Sequence, residues 1–82
     1  MKVQVLYFAA VRDLVGVDGE ELDLPPGVGT VRDFVARLEE VRPALAGRMG
    51  YVRIARNETF ASADERLAEG DVLALIPPVA GG

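Results

Sequence analysis

The chain has 82 residues, of which 50% are apolar and 27% charged, and its formal net charge is −4 at pH 7. Such a chain corresponds to one small globular domain rather than a disordered segment. The excess of acidic residues argues against general affinity for nucleic acid, and no apolar run is long enough to cross a membrane. The first residues, 1–5, lack the pattern of a secretion signal, so we expect a cytoplasmic protein.

Two residue types that often carry chemistry are missing, because the sequence contains no cysteine and no histidine. Disulfides, thiolate nucleophiles, the usual zinc ligands and imidazole acid–base catalysis are therefore excluded. We expect no metal and no stably bound cofactor. An enzyme would need a carboxylate pair, either Asp64 with Glu65 or Asp13 with Glu58, to meet in a cleft. A solvated surface is the simpler interpretation of these four residues.

The first predicted strand spans residues 3–8 (VQVLYF), which are rich in β-branched and aromatic types. Alternation places Leu6 and Phe8 on one face, opposite Val3, Val5 and Tyr7. Both faces are therefore apolar, which suits a central strand or a strand whose outer face is an interface. A short helix is predicted over residues 9–15, ended by Gly16. A half-exposed second strand over 20–24 should pair with the first strand in antiparallel fashion.

The clearest helix begins after Thr30, whose hydroxyl can cap the first turn, and it ends before Pro43. Asp33 adds a favourable negative charge in that turn. One apolar stripe follows at helical spacing, which indicates a helix lying on a sheet. Its members are Val31, Phe34, Val35, Leu38 and Val41.

Three further strands are predicted at 51–55, 58–60 and 72–76. The resulting order is strand, strand, helix, strand, short strand, strand, with the two most apolar strands, the first and the last, adjacent at the centre. We predict an α+β protein with the β-grasp (ubiquitin-like) fold, in which one main helix covers a mixed sheet of about five strands. Short additional helices complete it. The domain should span residues 1–76 and the extended tail 77–82.

The last seven residues read IPPVAGG and follow directly from the last predicted strand. Pro77 has no backbone N–H, so the sheet cannot continue normally there, and two prolines favour a stiff, extended exit. Glycine has no Cβ, so the walls of a channel can close tightly around the chain end. An extended segment from residue 77 to 82 reaches about 20 Å. These features favour a tail whose terminal carboxylate is placed inside a partner protein.

Three stretches carry a family resemblance that covers essentially the whole chain: residues 8–16 (FAAVRDLVG), 57–59 (NET) and 70–82. The chain resembles the MoaD/ThiS family of ubiquitin-like sulfur carriers, and within it the MoaD branch, the small subunits of molybdopterin synthase. It departs from the common pattern at Ile76, where the family usually has Phe, and at Ala80, where it usually has Thr or Ser. Both replacements keep an apolar anchor and a small spacer.

The resemblance implies that the Gly82 carboxylate is adenylated by a MoeB-type enzyme using ATP and then converted to a thiocarboxylate. The thiocarboxylate would sulfurate cyclic pyranopterin monophosphate inside a MoaE-type large subunit, typically in a heterotetramer. The catalytic residues would then belong to that large subunit. The tail residues that would enter the partner are Pro77, Pro78, Val79, Ala80 and Gly81. The residues that would dock on partners are Phe8, Phe60 and Ile76, with Arg12 at the rim.

Three alternatives stay open. A ThiS-like or tRNA-thiolation carrier shares the terminal glycines, although residues 10–16 (AVRDLVG) and 76–79 (IPPV) favour the MoaD branch. A ubiquitin-like modifier would use the same tail but join it to lysines of other proteins. A plain β-grasp interaction domain would bind partners with or without Gly81 and Gly82.

Overall fold

The computed structural model describes residues 1–78, which form one sheet with helices on one of its faces. The strands are β1 (Lys2–Tyr7), β2 (Gly19–Asp23), β3 (Arg53–Arg56), β4 (Thr59–Phe60) and β5 (Val72–Ile76). The α-helices are α1 (Ala9–Val15) and α2 (Val31–Val41), and 3₁₀ turns occupy Pro43–Leu45 and Met49–Tyr51. The strand order is β2-β1-β5-β3-β4, with β1 and β5 parallel and the other pairs antiparallel. The predicted β-grasp arrangement is confirmed.

The core lies between the central strands and α2. Inward-facing residues of β5 alternate as predicted, so that Leu73 and Leu75 are fully buried. From above, α2 contributes Phe34 and Leu38, which are also fully buried. Because parallel β1 and β5 form the middle of the sheet, both lack a free edge and both bury one complete face. No helix in the part of the chain that the structure describes is long and apolar enough to cross a membrane.

The start of α2 follows the predicted capping chemistry. The hydroxyl oxygen of Thr30 accepts a hydrogen bond from the backbone N–H of Asp33 at 3.2 Å. The Asp33 carboxylate accepts in turn from the N–H of Gly29 at 3.3 Å, and this bond together with the Thr30 hydroxyl lowers the pKa of Asp33. The predicted stripe is wrong at its last member, because Val41 is exposed. The next buried core residue after the helix is Leu45, in the following 3₁₀ turn.

The third strand begins later than predicted. Residues 49–51 form a 3₁₀ turn, closed by the N–H of Val52 on the carbonyl of Met49, and β3 starts only at Arg53. The antiparallel register pairs Arg53 with Ile76, the last residue of β5. An earlier start would bring β3 opposite Pro77, which has no N–H to donate to the ladder. The proline that ends β5 therefore also sets where β3 can begin.

A polar cluster that the sequence did not predict joins β1, β2 and the end of α2. The Tyr7 hydroxyl donates to the Glu20 carboxylate, which also accepts two hydrogen bonds from Arg42, at 2.8 Å each. Burial and the bond to Glu20 raise the pKa of Tyr7 above its usual range. The hydrogen bonds from Arg42 lower the pKa of Glu20. The cluster lets a buried tyrosine keep a partner for its hydroxyl.

Candidate partner-binding groove and C-terminal tail

An apolar groove of about 530 Å³ lies on the face of the sheet that carries no helix. We call it the open-face groove. Its walls come from the end of β1, the outward side of β5 and the β3–β4 hairpin. The lining residues are Leu6, Phe8, Ala55, Asn57, Glu58, Phe60, Val72, Ala74 and Ile76.

Strand alternation explains why these apolar side chains face outward. Within β5, Leu73 and Leu75 point into the core, so the residues between and beside them must point to the other face. The parallel register then sets Leu6 beside Ala74. A strand that is apolar on both faces, at the centre of a sheet covered on one side only, leaves an apolar surface for a partner.

Three of the four predicted docking residues meet in this groove. Phe8 is 46% exposed, Phe60 is 50% exposed, and Ile76 is partly buried between them and the strand ends. Arg12 does not line the groove. It lies on α1 and forms an ion pair with Asp18 at 3.7 Å, beside a separate depression. Its role as a rim contact stays a prediction.

A cation that was not among the predicted docking residues lies at the groove wall: the guanidinium of Arg53 lies over the ring of Phe60, 3.7 Å from its centroid. Such a cation–π contact contributes about 0.5–1 kcal/mol at an exposed site. It favours this orientation of the Phe60 ring in the free protein. The signal in the sequence was the alternation of Arg53 and Ala55, which puts both on the open face once the strand register is known.

The end of the groove is formed by the two-residue turn between β3 and β4. Asn57 and Glu58 both have positive φ angles, 51° and 72°. Asn57 is held by its surroundings, because its side chain donates to Asp71 and accepts from the N–H of Val72, both at 2.9 Å. The stretch NET, which carried part of the family resemblance, is therefore a tight hairpin turn on the groove.

Behind the groove lies Asp71, the one polar residue buried to 5% exposure between residues 1 and 78. It accepts hydrogen bonds from Arg56 Nε and the N–H of Ala68, both at 2.7 Å, and from Asn57. Burial raises its pKa, but the bonds from Arg56, the Ala68 amide and Asn57 outweigh that effect and lower it. Sequence analysis missed this residue, whose only signal was a Gly-Asp pair in front of β5. The network joins the hairpin turn to the start of β5.

The carboxylate pairs that an enzyme would need do not share a cleft. Asp13 and Glu58 line separate depressions. Asp64 is exposed and pairs with Arg32 at 2.6 Å, while Glu65 pairs with Arg56 at 3.2 Å. Within residues 1–78, no group of three or more His, Cys, Asp or Glu side chains is placed to hold a metal ion.

A protein-family model described as the ThiS family matches residues 5–82 of this sequence. The chain belongs to the ThiS family. The molybdopterin synthase sulfur carrier subunit of Escherichia coli (strain K12) is 42% identical over 81 residues, covering 98% of this chain and 99% of the relative. The resemblance inferred from the sequence is confirmed by these matches.

Two solved structures are similar to this ThiS-family chain in fold. The crystal structure of SAMP1, the small archaeal modifier protein 1 of Haloferax volcanii, is 31% identical, with a TM-score of 0.88 and full coverage of both chains. A complex of subunits 1 and 2 of the molybdopterin-converting factor from Helicobacter pylori 26695 matches with a TM-score of 0.73 and 26% identity, again over 100% of both chains. The same fold is thus found in the molybdopterin-converting factor complex and in a protein named as a modifier.

The tail of this ThiS-family chain starts at the groove. The parallel register sets Leu75 beside Tyr7, so Ile76 and Phe8 follow at the same end of the sheet. Pro77 is half-buried and Pro78 exposed, and both border a shallow depression that also includes Tyr51. The predictions for Val79, Ala80, Gly81 and Gly82 fall outside the described residues, and the division into a 1–76 domain and a 77–82 tail stays a prediction.

Proposed function

We propose that this chain is the sulfur carrier subunit of a molybdopterin synthase, with sulfur carried on the carboxyl group of Gly82. One observation carries the proposal: the open-face groove and the root of the tail are continuous, since Ile76 lines the groove and Pro77 follows it. A protein that covers the groove therefore lies beside the residue at which the tail begins, so the tail is within its reach. The match over nearly the full length to the E. coli sulfur carrier subunit supports the same function.

The chemistry at Gly82 begins with activation. A terminal carboxylate has a pKa of about 3.5 and is an anion at neutral pH, which makes it a poor acyl electrophile. An ATP-dependent adenylating enzyme activates the carboxylate. A carboxylate oxygen attacks the α-phosphate of ATP, pyrophosphate leaves, and an acyl adenylate forms. A sulfur nucleophile then displaces AMP and leaves a thiocarboxylate. Glycine leaves the carbonyl open to each attack because it has no side chain.

The proposed acceptor of the sulfur lies in the large subunit of the synthase. In the Helicobacter pylori complex, subunit 1 is bound to subunit 2 of the converting factor. We infer that the large subunit of this system covers the open-face groove with Phe8, Phe60 and Ile76 at its centre. The tail from residue 77 then extends up to about 20 Å into that subunit, where cyclic pyranopterin monophosphate is sulfurated. The adenylating enzyme binds the same groove at an earlier step, so the two partners exclude each other.

The experiment that tests this proposal is an intact-mass measurement. The untagged chain is incubated with ATP, a MoeB-type adenylating enzyme and a sulfur donor. Replacement of one carboxyl oxygen by sulfur supports the carrier function, and a chain lacking Gly82 serves as the matched control. An unchanged mass, with the enzyme active on its own carrier, refutes it and favours a binding domain with an inert tail. Addition of the large subunit and the pterin should then return the original mass.

A second function is favoured by the structural likeness to SAMP1 of Haloferax volcanii, a protein named as a modifier. The same activated Gly82 would then be joined to lysine amines of other proteins. The two functions differ in their products, because a modifier leaves isopeptide-linked adducts and a carrier does not. Mass spectrometry of lysine peptides from cells that express the chain distinguishes them. Because Arg66 is the last basic residue, trypsin would leave residues 67–82 on a modified lysine, and this remnant on lysines of other proteins would support the modifier.

A further inference from the structure

Between residues 1 and 78, backbone strain is concentrated around the open-face groove. Among residues 1–78, the non-glycine residues with positive φ are Ala9 (47°), Asn57 (51°) and Glu58 (72°). Ala9 directly follows Phe8, and the other two line the open-face groove. Conformations of this kind cost free energy and persist where the surrounding structure imposes them, often at binding sites.

Glu58 is the least expected of the three. The turn between β3 and β4 has two residues, both with positive φ, which is the type I′ geometry that favours Asn at the first position and Gly at the second. Asn57 obeys this preference and its side chain is bonded to Asp71. Glu58 stands where this turn favours glycine. Between residues 1 and 78 its side chain takes part in no hydrogen bond or ion pair. Nothing inside the described fold explains a glutamate where glycine is more stable.

The position of Glu58 suggests what the side chain does. It is the only charged side chain among the residues that line the groove, where its neighbours include Phe60 and Val72. The Arg53 guanidinium over the Phe60 ring lies next to the groove but forms no ion pair with Glu58. A partner that covers the groove removes water from around this carboxylate. An uncompensated carboxylate in such a place is costly, whereas one paired with an arginine or lysine gives a strong charge-assisted bond. A groove with one acidic position therefore accepts a partner with a matching cation and rejects one without it.

We propose that Glu58 is a specificity-determining residue of the open-face groove, and that it pairs with an arginine or lysine of the large synthase subunit. This inference rests on the proposed function, because it takes the large subunit as the occupant. The positive φ of Glu58 is unfavourable, but it places a carboxylate at the end of the groove. Asn57 and Asp71 hold the turn in this conformation. The net negative charge of the chain acts in the same sense by attracting a basic surface.

The test measures the affinity of the full chain for the large subunit of the same organism, by calorimetry at low and high salt, together with melting temperatures. Glu58→Gln keeps the shape and the strain but removes the charge. We expect it to weaken binding about tenfold at low salt and to leave the melting temperature within about 1 °C. Glu58→Gly removes both charge and strain. It should lose the same affinity while raising the melting temperature by about 4 °C. Glu40→Gln is the control for charge loss and should bind normally. Glu40 is an exposed residue of α2 on the other side of the sheet, where its carboxylate forms only a surface ion pair with Arg37 at 3.5 Å.

The salt dependence and the control variant separate a specific ion pair from a general effect of charge. The difference between the Glu58→Gln variant and the unmodified chain should shrink at about 1 M salt, because salt screens the pair at the rim. Equal binding of the two at low salt overturns the inference while the proposed function stands. An equal loss in Glu40→Gln overturns it too, because the effect would then be one of net charge. A lower melting temperature in Glu58→Gly contradicts the strain argument. If the unmodified chain does not bind the large subunit, the proposed function itself fails and the inference falls with it.

Discussion

Replacing Phe8 by glutamate separates the binding role of the open-face groove from its role in folding. Phe8 is 46% exposed and stands at the N-cap of α1, but its side chain makes no capping hydrogen bond. The substitution therefore removes no cap. In the free protein the new carboxylate can stay in water, while in a complex that covers the groove it would be buried among Leu6 and Ile76.

The exposed fraction gives the size of the effect on binding. A phenylalanine buries on the order of 200 Å², so about 90 Å² of Phe8 remains for a partner to cover. At about 25 cal/mol per Å² this area contributes about 2 kcal/mol to binding. Burying an unpaired carboxylate costs at least about 2 kcal/mol more. We therefore expect Phe8→Glu to weaken binding by about 4 kcal/mol, which is about a thousandfold in Kd.

The effect on folding should be smaller. The buried part of Phe8 is worth at most about 3 kcal/mol, and the methylene groups of glutamate recover some of it. Calorimetric titration with the large subunit and thermal unfolding by circular dichroism measure both quantities on one sample. Val41→Glu is the control, since Val41 is an apolar residue of α2 with 37% exposure on the other side of the sheet. A Kd within tenfold of the unmodified chain, or a Phe8→Glu variant that is unfolded at 25 °C, would refute this reasoning.

The remaining predictions concern stability and the tail. Asp71→Ala should lower the free energy of unfolding by about 2 kcal/mol in urea titrations, because it leaves Arg56 Nε and the Ala68 amide without their acceptor. Asp64→Ala, which breaks an exposed pair, should cost less than about 0.5 kcal/mol. The folded-state pKa values of Glu20 and Asp71 are lowered, so the unfolded chain binds more protons in acid. The stability that these two carboxylates contribute is complete above about pH 5 and is lost as the pH falls through their folded-state pKa values. In Asp71→Ala, the free energy of unfolding should therefore fall less steeply in acid. Tyr7→Phe should cost about 1 kcal/mol, measured in the same titrations, because it removes the hydrogen bond to Glu20. Removal of Gly82 should abolish thiocarboxylate formation in the mass assay and leave the melting temperature unchanged; a large fall in that temperature would count against a purely functional tail.

The local features of the chain were sufficient for most of the architecture. Apolar runs, alternation and turn signals located the five strands, and a capped apolar stripe located α2, because these patterns depend on residues close together in sequence. Gly16 and Pro43 ended their helices as predicted. The outward direction of Leu6 and Phe8 followed from the same alternation. The family resemblance of the tail added a function that no periodicity could supply.

Apart from the exposure of Val41 at the end of α2, the errors and omissions involve residues far apart along the chain. The start of β3 depended on its register with β5, where Pro77 ends the ladder. The bond from Arg56 to Asp71 and the ring of Phe60 under Arg53 exist only after strands have paired across the sheet. Pairings of this kind leave no periodic trace, because each one is set by where two distant segments come to lie.

The open-face groove shows most clearly what sequence patterns predict and what strand pairing decides. Its apolar residues could be recognised in the sequence as outward-facing positions of two strands. The parallel pairing of β1 with β5 and the hairpin of β3 with β4 bring three of these side chains together near the start of the tail: Phe8, Phe60 and Ile76. The positive φ of Glu58 has the same origin, since a two-residue hairpin must turn with the twist of its strands. Composition and alternation thus determine which side chains are available, and strand pairing determines which of them form a site.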